Sequence, residues 1–395
     1  MSKIDTNPQK IEALLTRGVE NIFPSKEFVA KKLASGERLT VYLGVDPTGP
    51  SLHMGHVIPL LRLAKFQELG HQIILLVGDF TAMIGDPTDK SSTRKKLSRE
   101  EVLQNLKEYQ NQASKIISFS GENKALIKFN SEWLGKMNFA EVLELASHIT
   151  ADQLAKRAMF VERAKEGKPT YAHEFLYPLM QGYDSVAMDV DGEIGGNDQT
   201  FNMLVGRDLM KSLKNKEKFV IATRLLADAS GKKMGKTEGN MVSLDQSPEE
   251  TFGAVMSWRD GMIVPAFELL TDVPMQEINT ENPKEAKMKL AKEIVQMYHG
   301  EKAAEQARQN FEKTFGEGKI PENISEVSAS QGETLANVLL EQKIVESKTE
   351  WRRLVDDGAV TRMEKDEKIS DPNARAETGT YKIGKRRFIK ISVLP

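Results

Sequence analysis

The chain has 395 residues, of which 39% are apolar and 28% charged, with a formal net charge of −2. This composition is typical of a folded protein of two or three domains, and it excludes disorder and collagen. No apolar run approaches the length that crosses a bilayer, so a membrane span is also excluded. The absence of Cys removes thiolate nucleophiles and Cys-ligated metals. With no signal-peptide core at the start, the expected location is cytoplasmic.

Residues 38–77 predict a βαβ unit with a strand at 39–45, a helix from about His53 to Leu69 and a strand at 72–77. The apolar run Ile73–Val77 is typical of a strand buried on both faces of a parallel sheet. A capping-box pattern starts a second helix at Ser98, and further strands are predicted at 125–129 and 218–223. The first part of the chain is therefore predicted to be α/β, a doubly wound, parallel-sheet (Rossmann-like) domain.

The pattern changes after residue 240. Residues 229–240 are polar and Gly-rich and predict a mobile surface loop. Ser247, Pro248 and Glu250 then form an N-terminal helix signal that opens a helical stretch to about Phe315. Residues 316–332 read as a linker, and the basic tail that follows is long enough for one small domain. The predicted divisions are 1–240 for the α/β domain with its loop, 241–316 for an α-helical domain, 317–332 for the linker and 333–395 for the small domain.

Two of the six histidines fall in the segment HMGH, His53 to His56, at the start of the first predicted helix. A helix that follows a parallel strand offers free N–H groups and a positive dipole end to a phosphate, and Gly55 would let a flat group approach the backbone. Taken alone, the segment fits equally a helix cap with a surface histidine. Zinc is disfavoured, because Cys is absent and no third ligand lies nearby.

The loop segment KMGKT carries Lys233, Lys236 and Thr237. Two lysines three residues apart can close over a polyphosphate and neutralise the charge of a departing pyrophosphate. The glycine spacing is one residue too short for a P-loop, and that interpretation is rejected. A solvated Lys-rich loop remains the alternative.

Three other segments place polar residues where a ligand could bind. GDFTAMIGDPTDK follows the buried strand and brings Asp86 and Lys90, with Arg94 beyond, to the sheet edge where open α/β sheets bind ligands. Tyr177, Gln181 and Asp184 share one helix face with apolar neighbours and would be partly buried. GGNDQ at 195–199 is a glycine turn leading into a carboxylate suited to ribose hydroxyls. Ordinary turns and intraprotein hydrogen bonds would also explain each segment.

The order and spacing of these segments resemble the bacterial tyrosyl-tRNA synthetases, a family of class I aminoacyl-tRNA synthetases. HMGH is similar to the class signature HIGH, and KMGKT to KMSKS. VYLGVDPTGPSLHMGH, GDFTAMIGDPTDKSSTR, YPLMQGYD and GGNDQ occur in the order of the tyrosyl family. SKTEWRRLVDDGAV and the basic end resemble a small RNA-binding fold found also in a ribosomal protein. The resemblance covers nearly the whole chain.

The resemblance implies that tyrosine and ATP, with Mg²⁺, give tyrosyl-adenylate and pyrophosphate, and that the tyrosyl group passes to tRNA(Tyr). It implies a catalytic domain at 1–240, an anticodon-recognition domain at 241–316, a small α+β RNA-binding domain at 333–395, and a homodimer. No residue is expected to bind a metal. The implied catalytic residues are His53, His56, Thr48, Lys90, Arg94, Lys233, Lys236 and Thr237. The implied tyrosine site consists of Tyr42, Asp86, Tyr177, Gln181, Asp184 and Gln199. The implied ATP site consists of Asp46, Gly55, Gly196, Asp198 and Lys236, and the implied RNA contacts are Arg352, Arg353, Lys385, Arg386 and Arg387.

Three positions depart from the family pattern: Asp89 stands before Lys90, Asn197 replaces Ser, and Thr200 replaces an aromatic residue. A pocket in which Tyr42 and Asp184 face a phenol would leave buried polar groups unpaired if phenylalanine entered, which favours tyrosine. The alternatives are a tryptophanyl-tRNA synthetase and a non-catalytic RNA-binding protein on the same scaffold. A dinucleotide dehydrogenase is disfavoured, since no G-x-G-x-x-G follows the first strand.

Overall fold

The structure is a computed structural model that describes residues 3–47, 49, 51–85, 99–227, 242–316, 325–342, 344–345, 347–365, 367–384 and 387–394. Several residues singled out in the sequence lie outside these ranges, namely Thr48, Asp86, Asp89, Lys90, Arg94, Lys233, Lys236, Thr237, Lys385 and Arg386. Among the described helices, none is both long and apolar enough to span a bilayer.

The first part of the chain alternates helices and strands. Its elements are α1 (Pro8–Thr16), β1 (Val19–Phe23), α2 (Lys26–Ala34), β2 (Thr40–Val45), α3 (Met54–Glu68), β3 (Gln72–Val77), α4 (Arg99–Ala113), β4 (Leu126–Phe129), α5 (Ser131–Leu134), α6 (Phe139–Ala146), α7 (Ala151–Ala155), α8 (Ala158–Lys165), α9 (Ala172–Met188), β5 (Gly192–Gly196), α10 (Thr200–Lys214) and β6 (Phe219–Thr223). The strands and helices predicted between residues 38 and 223 are present within a residue or two of their expected bounds.

These strands form one sheet in the order β1-β6-β5-β2-β3-β4. Strands β2 to β6 are parallel, which confirms the predicted doubly wound α/β fold. Residues 73–77 of β3 are at most 2% exposed, as expected for a strand covered on both faces. Strand β1 was not predicted, and it pairs antiparallel with β6 at the edge of the sheet.

The second part of the chain is helical and shares the core of the first. It comprises α11 (Pro248–Met256), α12 (Ile263–Leu270), α13 (Pro283–His299) and α14 (Glu301–Gly316). The predicted capping box is present: Ser247 Oγ accepts from the Glu250 N–H at 3.2 Å, and the Glu250 carboxylate accepts from the Ser247 N–H at 2.9 Å. One hydrophobic cluster includes Met54 of α3, Phe219 of β6, Phe252 of α11 and Leu290 of α13. The helical part therefore packs directly on the domain that carries the sheet.

The last part of the chain has its own core and corrects the predicted linker. Its elements are β7 (Ser325–Ser330), α15 (Leu335–Glu341), α16 (Lys348–Asp356), β8 (Val360–Arg362), β9 (Glu367–Lys368), β10 (Gly379–Ile383) and β11 (Arg387–Leu394). They form a sheet in the order β7-β11-β10-β8-β9, in which β7 runs parallel to β11. Residues 325–330, predicted as linker, are thus a strand of this domain. These residues are mostly polar and gave no strand pattern, and they form a strand because they pair with β11.

Candidate active site

The strands β2, β3, β4 and β5 deliver polar residues to one edge of the sheet. Asp46 follows β2, Gly78 follows β3 and Asn130 follows β4, while residues 197–199 form a 3₁₀ turn after β5. Carboxyl ends of parallel strands meet at the same edge, which is where open α/β sheets bind ligands. Helix α3 begins at this edge, so the positive end of its dipole faces the same region, while its first N–H groups donate to His53 and Val242.

The two histidines at the start of α3 are held by the backbone and by each other. His53 is the N-cap, and its Nδ1 accepts from the Gly55 N–H at 3.1 Å. His56 Nδ1 accepts from the His53 N–H at 3.3 Å, and the two rings stack with centroids 3.9 Å apart. Because each Nδ1 accepts a hydrogen bond, the neutral rings carry their proton on Nε2. Both imidazoles therefore present an N–H donor on the side away from the helix backbone.

Gly55 and Met54 make this arrangement possible. A Cβ on Gly55 would lie 2.9 Å from His53 Cε1, so only glycine lets the His53 ring fold over the first turn. Met54 is fully buried in the core, and the Tyr298 hydroxyl of α13 lies 3.9 Å from its Sδ. The first turn of α3 is thus packed between the sheet and the helical part of the chain.

The segment that follows the lysine loop is paired with the histidine segment. The Met54 N–H donates to the Val242 carbonyl at 3.1 Å, and the Leu244 N–H donates to the Leu52 carbonyl at 2.9 Å. Between them, His53 and Ser243 form an antiparallel bridge. The chain therefore returns from the KMGKT loop, which lies outside the described residues, directly beside the histidines.

Asp46 links the strand edge to α9. Its Oδ1 accepts from Thr81 Oγ1 at 2.8 Å, and its Oδ2 accepts from the Tyr177 hydroxyl at 2.8 Å. A Cβ on Gly78 would lie 1.9 Å from Asp46 Oδ1, so a glycine is required for this approach. Asp46, expected near adenosine, also holds Tyr177 in place.

Asp184 is 2% exposed and accepts two hydrogen bonds. Trp133 Nε1 donates to its Oδ1 at 2.7 Å, and Asn130 Nδ2 donates to its Oδ2 at 3.4 Å. Burial raises the pKa of Asp184 well above its usual range, and the bonds from Trp133 and Asn130 oppose this rise. A further donor, such as a ligand hydroxyl, would stabilise the charged carboxylate.

Tyr42 is fully buried, and its hydroxyl lies 2.9 Å from Ser185 Oγ. Burial raises the pKa of Tyr42 well above its ordinary value, and the carboxylates of Glu193 and Asp184 add to that rise. The phenol therefore stays protonated. Ser185 and Asp184 are consecutive on α9, so Tyr42 and Asp184 belong to one end of the same site.

Gln181 and Gln199 are oriented by one buried amide. Asn202 Nδ2 donates to Gln181 Oε1 at 2.9 Å and to Gln199 Oε1 at 3.0 Å. Asn202 is fully buried at the first turn of α10. Since it donates to both carbonyl oxygens, it fixes which end of each glutamine is the amide nitrogen.

The turn after β5 explains two departures from the family pattern. Thr200 Oγ1 donates to the Asn197 carbonyl at 2.7 Å and lies 3.0 Å from Asn197 Oδ1, so the two unusual residues support each other. A Cβ on Gly196 would lie 2.5 Å from Asp198 Oδ1. The Asp198 side chain is exposed at this edge of the sheet.

The predicted RNA contacts divide into exposed and engaged residues. Arg352 and Arg353 of α16 are exposed. Arg387 instead donates from Nη1 to the Ile344 carbonyl and pairs through Nη2 with Glu350 at 2.9 Å. Its guanidinium therefore links β11 to the start of α16 and to the segment before it, whether or not it also contacts RNA.

Sequence reasoning missed several residues that hold the site together: Thr81, Asn130, Trp133, Ser185, Glu193, Asn202 and Lys218. Asn130 could have been found from the sequence, because it directly follows the predicted strand β4. Open parallel sheets bind ligands at the carboxyl ends of their strands. Lys218 and Glu193 gave no such signal, because they lie 25 residues apart in the sequence and meet only when β5 and β6 pair.

Comparisons with known proteins agree with this geometry. Residues 34–316 match the family model described as tRNA synthetases class I (W and Y), which gives the class of the enzyme. A tyrosine–tRNA ligase of Carboxydothermus hydrogenoformans is 44% identical, over 98% of both chains. Tyrosine–tRNA ligase 2 of Vibrio parahaemolyticus is 41% identical, over 97% of this chain and 99% of its own.

A solved structure gives the same result. The C-terminally truncated mitochondrial tyrosyl-tRNA synthetase of Coccidioides posadasii is 26% identical and superposes with a TM-score of 0.62, over 76% of this chain and 91% of its own. The chain belongs to the tyrosyl-tRNA synthetase family. The tryptophanyl alternative, which shares the same family model, is not favoured by these relatives.

Proposed function

We propose that the protein activates tyrosine with ATP and transfers the tyrosyl group to tRNA(Tyr). The observation that carries this proposal is the convergence of Tyr177, Gln181 and Asp184 from one helix with Tyr42 from β2. These side chains offer acceptors for a phenol at one end and polar groups for an ammonium at the other. The relatives at 41% to 44% identity, all named tyrosine–tRNA ligases, support the same conclusion.

In the proposed first step a carboxylate oxygen of tyrosine attacks the α-phosphorus of ATP. A bond forms between that oxygen and phosphorus, the bond to the β-phosphate oxygen breaks, and pyrophosphate leaves. His53 and His56 donate from Nε2 to phosphate oxygens as charge builds there, and Thr48 is proposed to assist them. Lys90, Arg94, Lys233, Lys236 and Thr237 are proposed to close over the pyrophosphate.

The proposed nucleotide and amino-acid sites meet at the sheet edge. Asp46, Gly55, Gly196 and Asp198 would hold the adenosine, with Mg²⁺ arriving on the triphosphate of ATP. Asp86, Tyr177 and Gln181 would hold the ammonium of tyrosine, and Gln199 its carboxylate. In the second step a 3′-terminal ribose hydroxyl attacks the tyrosyl carbonyl, an ester forms and AMP leaves. We place these reactions in the cytoplasm, where tRNA is used.

The test is ATP–pyrophosphate exchange with the purified full-length chain and each of the twenty amino acids in turn. Exchange should be fastest with tyrosine, because tyrosine alone combines a ring of this size with a para hydroxyl. Exchange driven by tryptophan and not by tyrosine would contradict the substrate assignment. No exchange with any amino acid would favour a non-catalytic RNA-binding protein.

We propose that residues 241–316 recognise the anticodon and that the C-terminal domain binds tRNA. Arg352 and Arg353 are exposed on α16, and Lys385, Arg386 and Arg387 follow in sequence at the basic end. Basic side chains supply most of the sequence-independent affinity for a phosphate backbone.

Removal of residues 317–395 should therefore lower tRNA charging by roughly tenfold or more, while tyrosine-dependent exchange stays within about twofold. The deletion starts at 317 because β7 belongs to the C-terminal sheet, and leaving it behind would expose an unpaired strand. Charging assays at several salt concentrations measure the effect. Equal losses in charging and exchange would make the domain a folding element.

We further propose that the protein is a homodimer. Helix α6 presents Phe139 and Leu143 on one face, 75% and 56% exposed. Large apolar side chains one helical turn apart are typical of a surface that a partner covers.

Light scattering should then give about twice the 44.2 kDa mass of one chain, and Phe139→Asp should shift it towards the monomer, because a charge would be buried at the interface. Val264→Asp, on the exposed surface of α12, is the matched control. A wild-type protein that is monomeric at all concentrations would refute the proposal.

A further inference from the structure

A buried ion pair lies beneath the proposed tyrosine site. Lys218, just before β6, and Glu193 of β5 are 0% and 2% exposed, and the Lys218 ammonium contacts Glu193 Oε2. Lys218 Nζ also donates to Ser185 Oγ at 2.8 Å. Burying two charges costs free energy that their attraction often fails to recover, so such a pair is weak evidence for a stabilising role. Its contacts point to a different role.

The sheet register explains how the pair reaches the pocket. Tyr42 and Glu193 are direct partners on β2 and β5, and Glu193 is the partner of Val220 on β6. Lys218 precedes Val220 by two residues, so Tyr42, Glu193 and Lys218 share the face of the sheet that α9 and α10 cover. A Cβ on Gly206 of α10 would lie 2.7 Å from Lys218 Nζ, so glycine leaves the room that the ammonium occupies.

The Glu193–Lys218 pair reaches both ends of the proposed tyrosine site. Gln181 Nε2 donates to Glu193 Oε1 at 3.2 Å, which restrains the ammonium end. At the phenol end Glu193 is the cross-strand partner of Tyr42, whose hydroxyl lies 2.9 Å from Ser185 Oγ, and Ser185 Oγ accepts from Lys218 Nζ. Because Ser185 Oγ accepts from Lys218, its own hydroxyl proton can be donated to the Tyr42 oxygen. The Tyr42 hydroxyl proton is then available to a ligand hydroxyl, which can in turn donate to Asp184.

We propose that the Glu193–Lys218 pair is a positioning device that sets amino-acid specificity. Lys218 pairs with Glu193 and holds the Ser185 hydroxyl that faces Tyr42, while Glu193 orients the Gln181 amide. The site then accepts a hydrogen bond from the phenol of tyrosine and discriminates against a ring without a hydroxyl. This inference rests on the proposed function, and it assigns the pair a role in addition to the residues already placed around the substrate.

The experiment compares steady-state exchange kinetics of four full-length proteins: wild type, E193M/K218M, E193Q/K218M and the control R207M/E217M. The double variants remove both charges, so none leaves one charge buried alone. Arg207 and Glu217 pair next to Lys218, between α10 and the segment before β6, and contact none of the pocket residues named here. Thermal unfolding of each protein is measured in parallel.

For E193M/K218M we expect the KM for tyrosine to rise roughly tenfold, and the preference for tyrosine over phenylalanine in kcat/KM to fall by a similar factor. The KM for ATP should stay within about twofold. E193Q/K218M should recover part of the loss, because the glutamine oxygen still accepts from Gln181. The control should keep the wild-type KM for tyrosine.

Two results would overturn the inference. One is an E193M/K218M protein with wild-type tyrosine KM and wild-type preference over phenylalanine. The other is a parallel loss in every kinetic constant together with a lowered unfolding temperature in both Glu193 variants, which would show a structural role. Failure of the wild type to exchange with tyrosine would instead refute the proposed function, so the two failures are distinguishable.

Discussion

Replacing His56 with alanine should lower kcat for adenylate formation by about 10²- to 10³-fold and leave the KM for tyrosine within about twofold. His56 Nδ1 accepts from the His53 N–H, so its Nε2–H is fixed before the substrate binds. A donor held in this way acts on charge that appears only when the α-phosphorus is attacked, so its loss affects the transition state far more than the bound amino acid. Pyrophosphate exchange and single-turnover adenylate formation measure both quantities.

His173→Ala is the matched control for this variant, because His173 is exposed in the first turn of α9. It should retain wild-type kinetics. A His56→Ala protein that loses tyrosine binding and rate by the same factor would contradict the assigned role. Lys236→Ala should resemble His56→Ala if the loop closes over the pyrophosphate as proposed.

Replacing Asp184 with asparagine should lower kcat/KM for tyrosine by roughly 10- to 100-fold, with the KM for ATP nearly unchanged. Trp133 and Asn130 both donate to the carboxylate, one to each oxygen. In asparagine one of the two oxygens becomes an NH₂ group, which faces either the Trp133 donor or the Asn130 donor. Either arrangement leaves a buried donor without an acceptor, which costs free energy in the folded protein and in the complex.

Exchange kinetics with tyrosine and phenylalanine measure this effect, and thermal unfolding separates it from a loss of stability. Asp152→Asn, on the exposed surface of α7, is the control and should be neutral. Phenylalanine has no hydroxyl to hydrogen-bond Asp184, so its slow reaction should change less. The ratio of kcat/KM for tyrosine to that for phenylalanine should therefore fall. Unchanged kinetics with tyrosine would remove Asp184 from the proposed phenol site.

Local sequence patterns were sufficient to predict the helices and strands whose own residues reveal that they are buried or capped. The run at 73–77 is apolar throughout because β3 lies in the interior of the sheet, and Ser247 with Glu250 satisfies the first N–H groups of α11 by itself. Such signals need no distant partner. The parallel direction of β2 and β3 followed from the same reasoning, since βαβ units build parallel strands.

The elements that sequence reasoning missed depend on partners far along the chain. Strand β1 becomes a strand only by pairing with β6, about two hundred residues later, and β7 only by pairing with β11. The same holds for the site. Tyr177 and Asp184 could be placed on one helix face from their spacing. Lys218 and Glu193 could not be linked from the sequence, because only the pairing of β5 with β2 and β6 brings them next to Tyr42.

The pairing of β7 with β11 also has a consequence for synthesis of the protein. Ser325 aligns with Ile389 and Ser330 with Leu394, so this sheet lacks a strand until residues 389–394 leave the ribosome. The strands of the sheet around the histidines are all present once residue 223 has emerged, and translation of residues 224–394 takes roughly 10 to 30 s at ordinary elongation rates. A nascent chain can thus complete the sheet of the proposed tyrosine site while the domain of residues 325–394 is still unfolded, and a stop codon within those residues would damage that domain alone.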